Sequence, residues 1–246
     1  MSLPFHPDVV ISAVERALAQ QHVLRRISSQ KRRRFALDLA FVALACRSAW
    51  LIDIVAVQDP EQVFVDLLRI LRQSEVHGVF DSLRYLFESC SQQSFFVNLT
   101  RIQSESATDV AFILLRQDPI LLVCPPPDVI AALSALATTN PPALAAGLLL
   151  GYPVAYVPDV SSESQPFLAR TALDVYTCRV RAPTWGSEHT LLKFSCPASL
   201  GPAHPEKLMP GRIIAGLSER YEPRVRELGL TLIVVHSVET LDRITL

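Results

Sequence analysis

The chain has 246 residues, 50% of them hydrophobic and 19% charged. A domain of this size buries roughly 70 to 75% of the surface its unfolded chain exposes, and the apolar share excludes a long disordered protein. With 23 Lys and Arg against 24 Asp and Glu the net charge is -1, so the basic excess behind general nucleic-acid binding is missing.

From the amino terminus, Val9, Val10, Ala13, Val14, Ala17 and Leu18 recur at helical spacing and predict an amphipathic helix over Asp8 to Leu24. Lys31 to Arg34 then lead into a second, largely buried helix over Phe35 to Cys46. The branched residues of Trp50 to Val57 predict a strand. Asp59, Pro60 and Glu61 supply the cap, first-turn proline and early acid of a helix carrying Val63, Phe64, Leu67, Leu68 and Leu71 on one face.

The alternation is expected to continue with a strand over Ser94 to Leu99, a helix over Ser104 to Leu115, a strand over Pro119 to Val123 and a helix over Pro127 to Ala137. In GLLLGYPVAY, Gly147 to Tyr156, a helix closes at Gly151 and a strand starts after Pro153. Pro158 to Pro166 reads as an exposed loop. Leu173 to Val180 and Thr190 to Cys196 are too close in the chain for a crossover helix and predict an antiparallel hairpin. A helix around Ile213 to Leu228 and a strand over Thr231 to Val235 follow. The expected fold class is therefore α/β: a single three-layer domain over residues 1–246, mostly parallel sheet, with the antiparallel hairpin in the C-terminal third.

Val129 to Pro158 holds no charge, but Thr138-Thr139-Asn140-Pro141-Pro142 breaks it into halves shorter than a membrane span, so two short buried helices are expected and no span. MSLPFHPDVV lacks the pattern of a signal peptide, which points to a cytoplasmic protein; the basic run at Lys31 to Arg34 is also compatible with the nucleus. Cys46, Cys90, Cys124, Cys178 and Cys196 are odd in number and widely spaced, fitting buried, reduced thiols. No two of the six histidines stand at ligand spacing, so no metal site is expected.

The chain carries no G-x-G-x-x-G, Walker loop, H-E-x-x-H or G-x-S-x-G, and no cofactor is implied. Open parallel sheets bind ligands beyond the carboxyl ends of their strands, which singles out Asp53 with Asp59, Asn98 with Arg101, Asp128, and Tyr156 with Asp159. Asp53 and Asn98 are the catalytic candidates: Asn98 for its place at a strand end, and Asp53 first, because a carboxylate in an apolar strand costs free energy unless it is paired or exposed, and such sites often carry chemistry. Arg101, Asp128, Tyr152, Tyr156 and Arg179 are the ligand-binding candidates, with Arg179 able to clamp a phosphate or carboxylate. Alternation puts Tyr176, Cys178 and Val180 on the buried face of their strand and Arg179 with Thr177 and Val175 on the other.

Gly147 to Tyr156, Thr171 to Val180 (TALDVYTCRV), Phe194 to Leu200 (FSCPASL) and the Leu51 to Asp53 strand resemble, in order, the uncharacterised family called domain of unknown function 4504. The resemblance implies no activity and transfers no catalytic residue. Its vertebrate member carries cysteines after the strand aspartate, where this chain has Ile54 and Ala56, and an acid near Asn98. The expected function is a non-catalytic interaction or scaffold protein with an unknown protein partner. The alternative is an enzyme or sensor for an anionic or phosphate-bearing small molecule.

Overall fold

The computed structural model describes residues 5–88, 92–103, 110–115, 119–122, 149–158, 168 and 170–240. It divides the chain into two compact units, residues 1–105 with 135–151, and residues 106–134 with 152–246.

In the first unit, α1 (Pro7–Gln20) buries Val10, Ile11, Val14 and Leu18 on one face. Helix α2 (Ser29–Ala43) starts at Ser28, whose hydroxyl accepts from the Lys31 amide, so the basic run forms the first turns of the helix. Its charges are dispersed: Arg33 pairs with Glu15 at 3.4 Å and Arg34 with Asp53 at 3.5 Å. Beyond them α2 is buried from Phe35 to Ala43. Helix α3 (Pro60–Leu71) is capped as expected, with the Asp59 side chain accepting from the Gln62 amide at 3.1 Å and Phe64, Leu67, Leu68 and Leu71 buried. The sheet of this unit has β3 (Gln93–Asn98) between β1 (Ala49–Leu51) and β2 (Leu83–Glu88), and both pairings are antiparallel. A short helix α4 (Leu99–Gln103) follows β3.

The second unit holds two sheets. In one, β4 (Ala111–Leu115) lies between β5 (Ile120–Leu121), antiparallel, and β6 (Val154–Pro158), parallel. In the other, β7 (Ala172–Arg181) lies between β8 (His189–Pro197) and β9 (Thr231–Thr240), antiparallel to both. Two single-turn helices, α5 (Leu200–Ala203) and α6 (Pro205–Leu208), precede α7 (Pro210–Glu227), which buries Ile213, Leu217, Tyr221 and Val225. Gly229, at φ +72°, turns the chain out of α7 into β9, with the Leu230 amide donating back to Val225 O.

These sheets overturn the expected three-layer, mostly parallel architecture: three small sheets are present, and among the described residues only β4 with β6 pairs in parallel. The missing signal is β2. LRYLFE, preceding β3 by a short connection, makes a hairpin with it, and β3 then enters between β2 and β1 running against both. The strand expected over Trp50 to Val57 is cut to Ala49–Leu51 because β3 ends at Gln93 and leaves no partner beyond Ile52, whose amide makes the last bond, to Ser94 O. The helix expected over Ser104 to Leu115 is instead strand β4 at its described end. AFILL is apolar throughout, and such a run reads equally as buried helix or buried strand. The hairpin of β7 and β8, the last helix and the last strand stand where they were expected, and Gly151 takes φ +71° before β6. The helix expected over Pro127 to Ala137 and nearly all of the Pro158 to Pro166 loop lie outside the described residues.

Candidate functional site

β7 is the middle strand of its sheet, and alternation sorts Asp174, Tyr176, Cys178 and Val180, all buried, onto one face. Phe194 of β8 and His236 of β9 stand directly opposite Tyr176 on either side. The three rings stack across the sheet: Phe194 and Tyr176 have centroids 5.1 Å apart at 17°, Tyr176 and His236 5.0 Å apart at 27°. Tyr152, just before β6, adds a fourth ring on Phe194 at 6.0 Å and 29°. Near-parallel rings at these spacings pack well when offset, and each pair adds about 0.5 to 1.5 kcal/mol beyond the area it buries.

Asp174 lies beside this ladder. Its carboxylate can only accept, so His236 Nε2 carries the hydrogen of their 2.8 Å bond. The Asp174 side chain is 7% exposed and that of His236 24%, so the imidazole presents a solvent-accessible edge held in orientation by a buried carboxylate. Cys196 is the register partner of Asp174 on β8. Burial, with the Asp174 charge second, pushes its thiol up to about 12, and burial alone does the same to Cys178. Both therefore remain thiols at neutral pH, without the nucleophilicity of a thiolate. Burial and then Asp174 also raise the Tyr176 phenol, which stays a hydrogen-bond donor. Its hydroxyl is buried and, among the described residues, has no hydrogen-bond partner, and leaving a polar group so costs about 1 to 3 kcal/mol.

The ladder ends at β9, the edge of its sheet. None of the ten residues of β9 is buried, and among the described residues no strand pairs with its outer side. The Ala198 amide donates to Ala172 O, so Ala172, Asp174 and Tyr176 turn their peptide groups toward β8, and by alternation Leu173, Val175 and Thr177 turn theirs toward β9. Opposite these last three, Glu239, Ser237 and Val235 face back, and the peptide groups of Val234, His236 and Val238 point outward.

The expected site residues are placed as follows. Asp53 is exposed and paired with Arg34. Asn98 is buried and structural in its contacts: its side chain donates to Val42 O at 2.9 Å and accepts from the Arg101 amide at 3.1 Å. Antiparallel pairing carries Asp53 and Asn98 to opposite ends of the β1 and β3 pair, where parallel strands would have brought them to one rim. Arg101 is half-buried beside Asn98 in α4; Asp59 is a helix cap; Asp128 and Asp159 lie outside the described residues. Tyr156, its phenol raised by burial, donates its hydroxyl to Ser195 O at 2.9 Å and packs on Leu168, Leu173 and Val175. Arg179 pairs with Glu188 at 3.4 Å, and Arg181 shares that carboxylate. Val175 is buried although it shares a face with the half-buried Thr177 and Arg179.

Asp174 and His236 were missed. The reasoning that favoured Asp53, a carboxylate in an apolar strand, applies with more force to Asp174, and alternation already put it on the face of Tyr176. His236 had no signal of its own, being 62 residues from its partner.

Three of the four stretches that carry the family resemblance meet at this face through Tyr152, Tyr176 with Asp174, and Phe194 with Cys196. Residues 129–210 match the model of the family described as domain of unknown function, DUF4504. This span, a third of the chain, contains the ladder except His236. No curated protein and no solved structure matches the chain, and the likeness to a vertebrate member finds no support there. Among the described residues no helix is long and apolar enough to cross a membrane, and no group of three or more His, Cys, Asp or Glu could hold a metal ion.

Proposed function

We propose that this chain is a non-catalytic interaction protein whose working surface is the outer edge of β9, which takes up an extended segment by strand addition. The observation that carries the reading is the edge itself. It is ten residues long with one carboxylate, Glu239, near its end, and Val238 and Val235 are 60% and 39% exposed. Sheet edges that must stay single are shortened, bulged, or armed with Lys or Pro, whereas this one has none of those devices. Backbone bonds then supply affinity, and alternate side chains supply specificity. The reading includes an intracellular setting, cytoplasmic and also nuclear, supported by the free, buried thiols of Cys178 and Cys196 and by the exposed ends of the basic run.

The test is quantitative affinity capture from cell extract with the wild-type chain and with Val238→Lys, which puts a charge on the edge. Partners retained by the wild type and lost by the variant support the reading. An identical set of partners for both, or turnover of a metabolite by the pure protein, overturns it.

A second reading rests on the Tyr176 hydroxyl, buried and without a hydrogen-bond partner among the described residues. A small molecule with a hydrogen-bond acceptor, an anionic group included, would satisfy that donor beside the Asp174 and His236 pair. A thermal-shift screen of nucleotides and sugar phosphates checks it: a stabilising compound whose effect disappears in Tyr176→Phe favours it, and stabilisation that persists in the variant removes it.

A further inference from the structure

We propose that the segment taken up by β9 is β9 of a second copy of this chain, paired antiparallel about a two-fold axis at His236, so that two three-stranded sheets become one of six strands. The inference rests on the reading of β9 as a pairing edge and names its occupant.

Three observations carry it. First, the outward peptide groups belong to Leu232, Val234, His236, Val238 and Thr240, which are symmetric about His236. Antiparallel pairing about that residue brings Val234 against Val238 of the other copy and His236 against its own copy, each as a hydrogen-bonded pair. The faces of the two sheets then coincide, because every pair joins residues of the same parity.

Second, the charge pattern permits self-pairing. Glu239 is the one carboxylate of β9, and in this register it lies opposite Ile233, so no two carboxylates meet. The exposed Val235 lies opposite Ser237, and the Val238 side chain gains an apolar neighbour in Val234. Third, the aromatic ladder runs along the direction in which the strand is added. Phe194, Tyr176 and His236 occupy successive strands at directly opposed positions, and the ring that continues the series is His236 of the other copy. A closed two-fold contact of this kind is isologous: it consumes both open edges and leaves no propagating end at β9.

The full chain is measured by size-exclusion chromatography with light scattering, as wild type, Val238→Lys and Val238→Pro. The expected wild-type mass is twice 27.2 kDa, and both variants are expected at the monomer mass with unchanged circular dichroism. Proline at 238 removes an outward amide and leaves the bonds to β7 in place, and lysine covers a failure of the proline variant to fold. Register is tested separately with His236→Cys and Glu239→Cys. Opposed Cα atoms in a hydrogen-bonded pair are about 5.5 Å apart, within disulfide reach. Mild oxidation is expected to give a covalent dimer for His236→Cys and none for Glu239→Cys. A monomeric wild type, or a dimer unaffected by both folded Val238 variants, overturns the inference. If the wild type is monomeric yet Val238→Lys loses captured partners, the edge reading stands and the second copy is excluded. If the partners are also unchanged, both fall.

Discussion

The two units use aromatic residues in opposite ways. In the first, Phe35, Trp50, Phe64, Tyr85 and Phe96, each from a different element, form a closed cluster of mixed geometry: Phe35 meets Trp50 at 89° and Phe96 meets Phe64 at 76°, edge against face, while Phe35 stacks on Phe64 at 29° and Trp50 on Phe96 at 23°. In the second, Phe194, Tyr176 and His236 lie at 17° and 27° in a row that runs to the edge of the sheet. Rings contributed by several elements surround a point and make a core, whereas opposed residues on neighbouring strands make a line, and a line has ends. The first unit surrounds β3, buried from Ser94 to Asn98, while the line of the second stops at β9, which has no buried residue. The difference teaches that the placement of the rings, gathered from several elements around one strand or set in register across one sheet, separates a region built to be filled from one built to be extended.

The largest expected effect falls on the closed cluster. Phe96→Ala removes the ring shared by Phe35, Trp50, Phe64 and Tyr85 and should cost about 3 to 5 kcal/mol in denaturant unfolding. A loss under about 1 kcal/mol would mean that the cluster does not hold the unit together. Next comes the polar end of the ladder. Asp174→Ala removes a charged hydrogen-bond acceptor from His236 and should cost about 1.5 to 3 kcal/mol in the same assay, whereas an exposed, dispensable pair would cost under about 1.

Alkaline pH should separate the regions further. The folded thiols of Cys178 and Cys196 titrate near 12 against an ordinary 9, so the folded state holds protons that the unfolded chain has released. Their contribution is intact below pH 9 and is lost as pH rises from about 9 to about 12. Unfolding curves taken between these limits should show the loss, and Cys178→Ala should reduce it; equal losses in wild type and variant would place the sensitivity elsewhere.

The smallest effects are diagnostic by their size. Tyr176→Phe keeps the stacked ring and deletes a hydroxyl that has no partner among the described residues, so stability should stay level or rise by up to about 1 kcal/mol. A drop of more than about 1 kcal/mol would show that the hydroxyl has a partner in solution. Asp53→Asn, at a side chain 54% exposed, should change stability by no more than about 0.5 kcal/mol, and a larger change would make Asp53 and its pair with Arg34 structural.

Local signals were legible in the sequence. The cap of Asp59 on α3, the buried run of α2, the closing turn at Gly151, the β7 and β8 hairpin and the buried face of Tyr176, Cys178 and Val180 all follow from interactions within a few residues or across one tight connection. Strand direction did not, because alternation between strand and helix has the same appearance whether β3 runs with β1 or against it, and only the pairing with β2 decides. Tertiary structure alone brought His236 to Asp174 across 62 residues of sequence, separated Asp53 from Asn98, and left β9 at an edge. Hydrogen bonds between strands join residues without regard to their separation along the chain. Which neighbours a side chain meets therefore belongs to the whole fold, while whether it turns inward is written within its own segment.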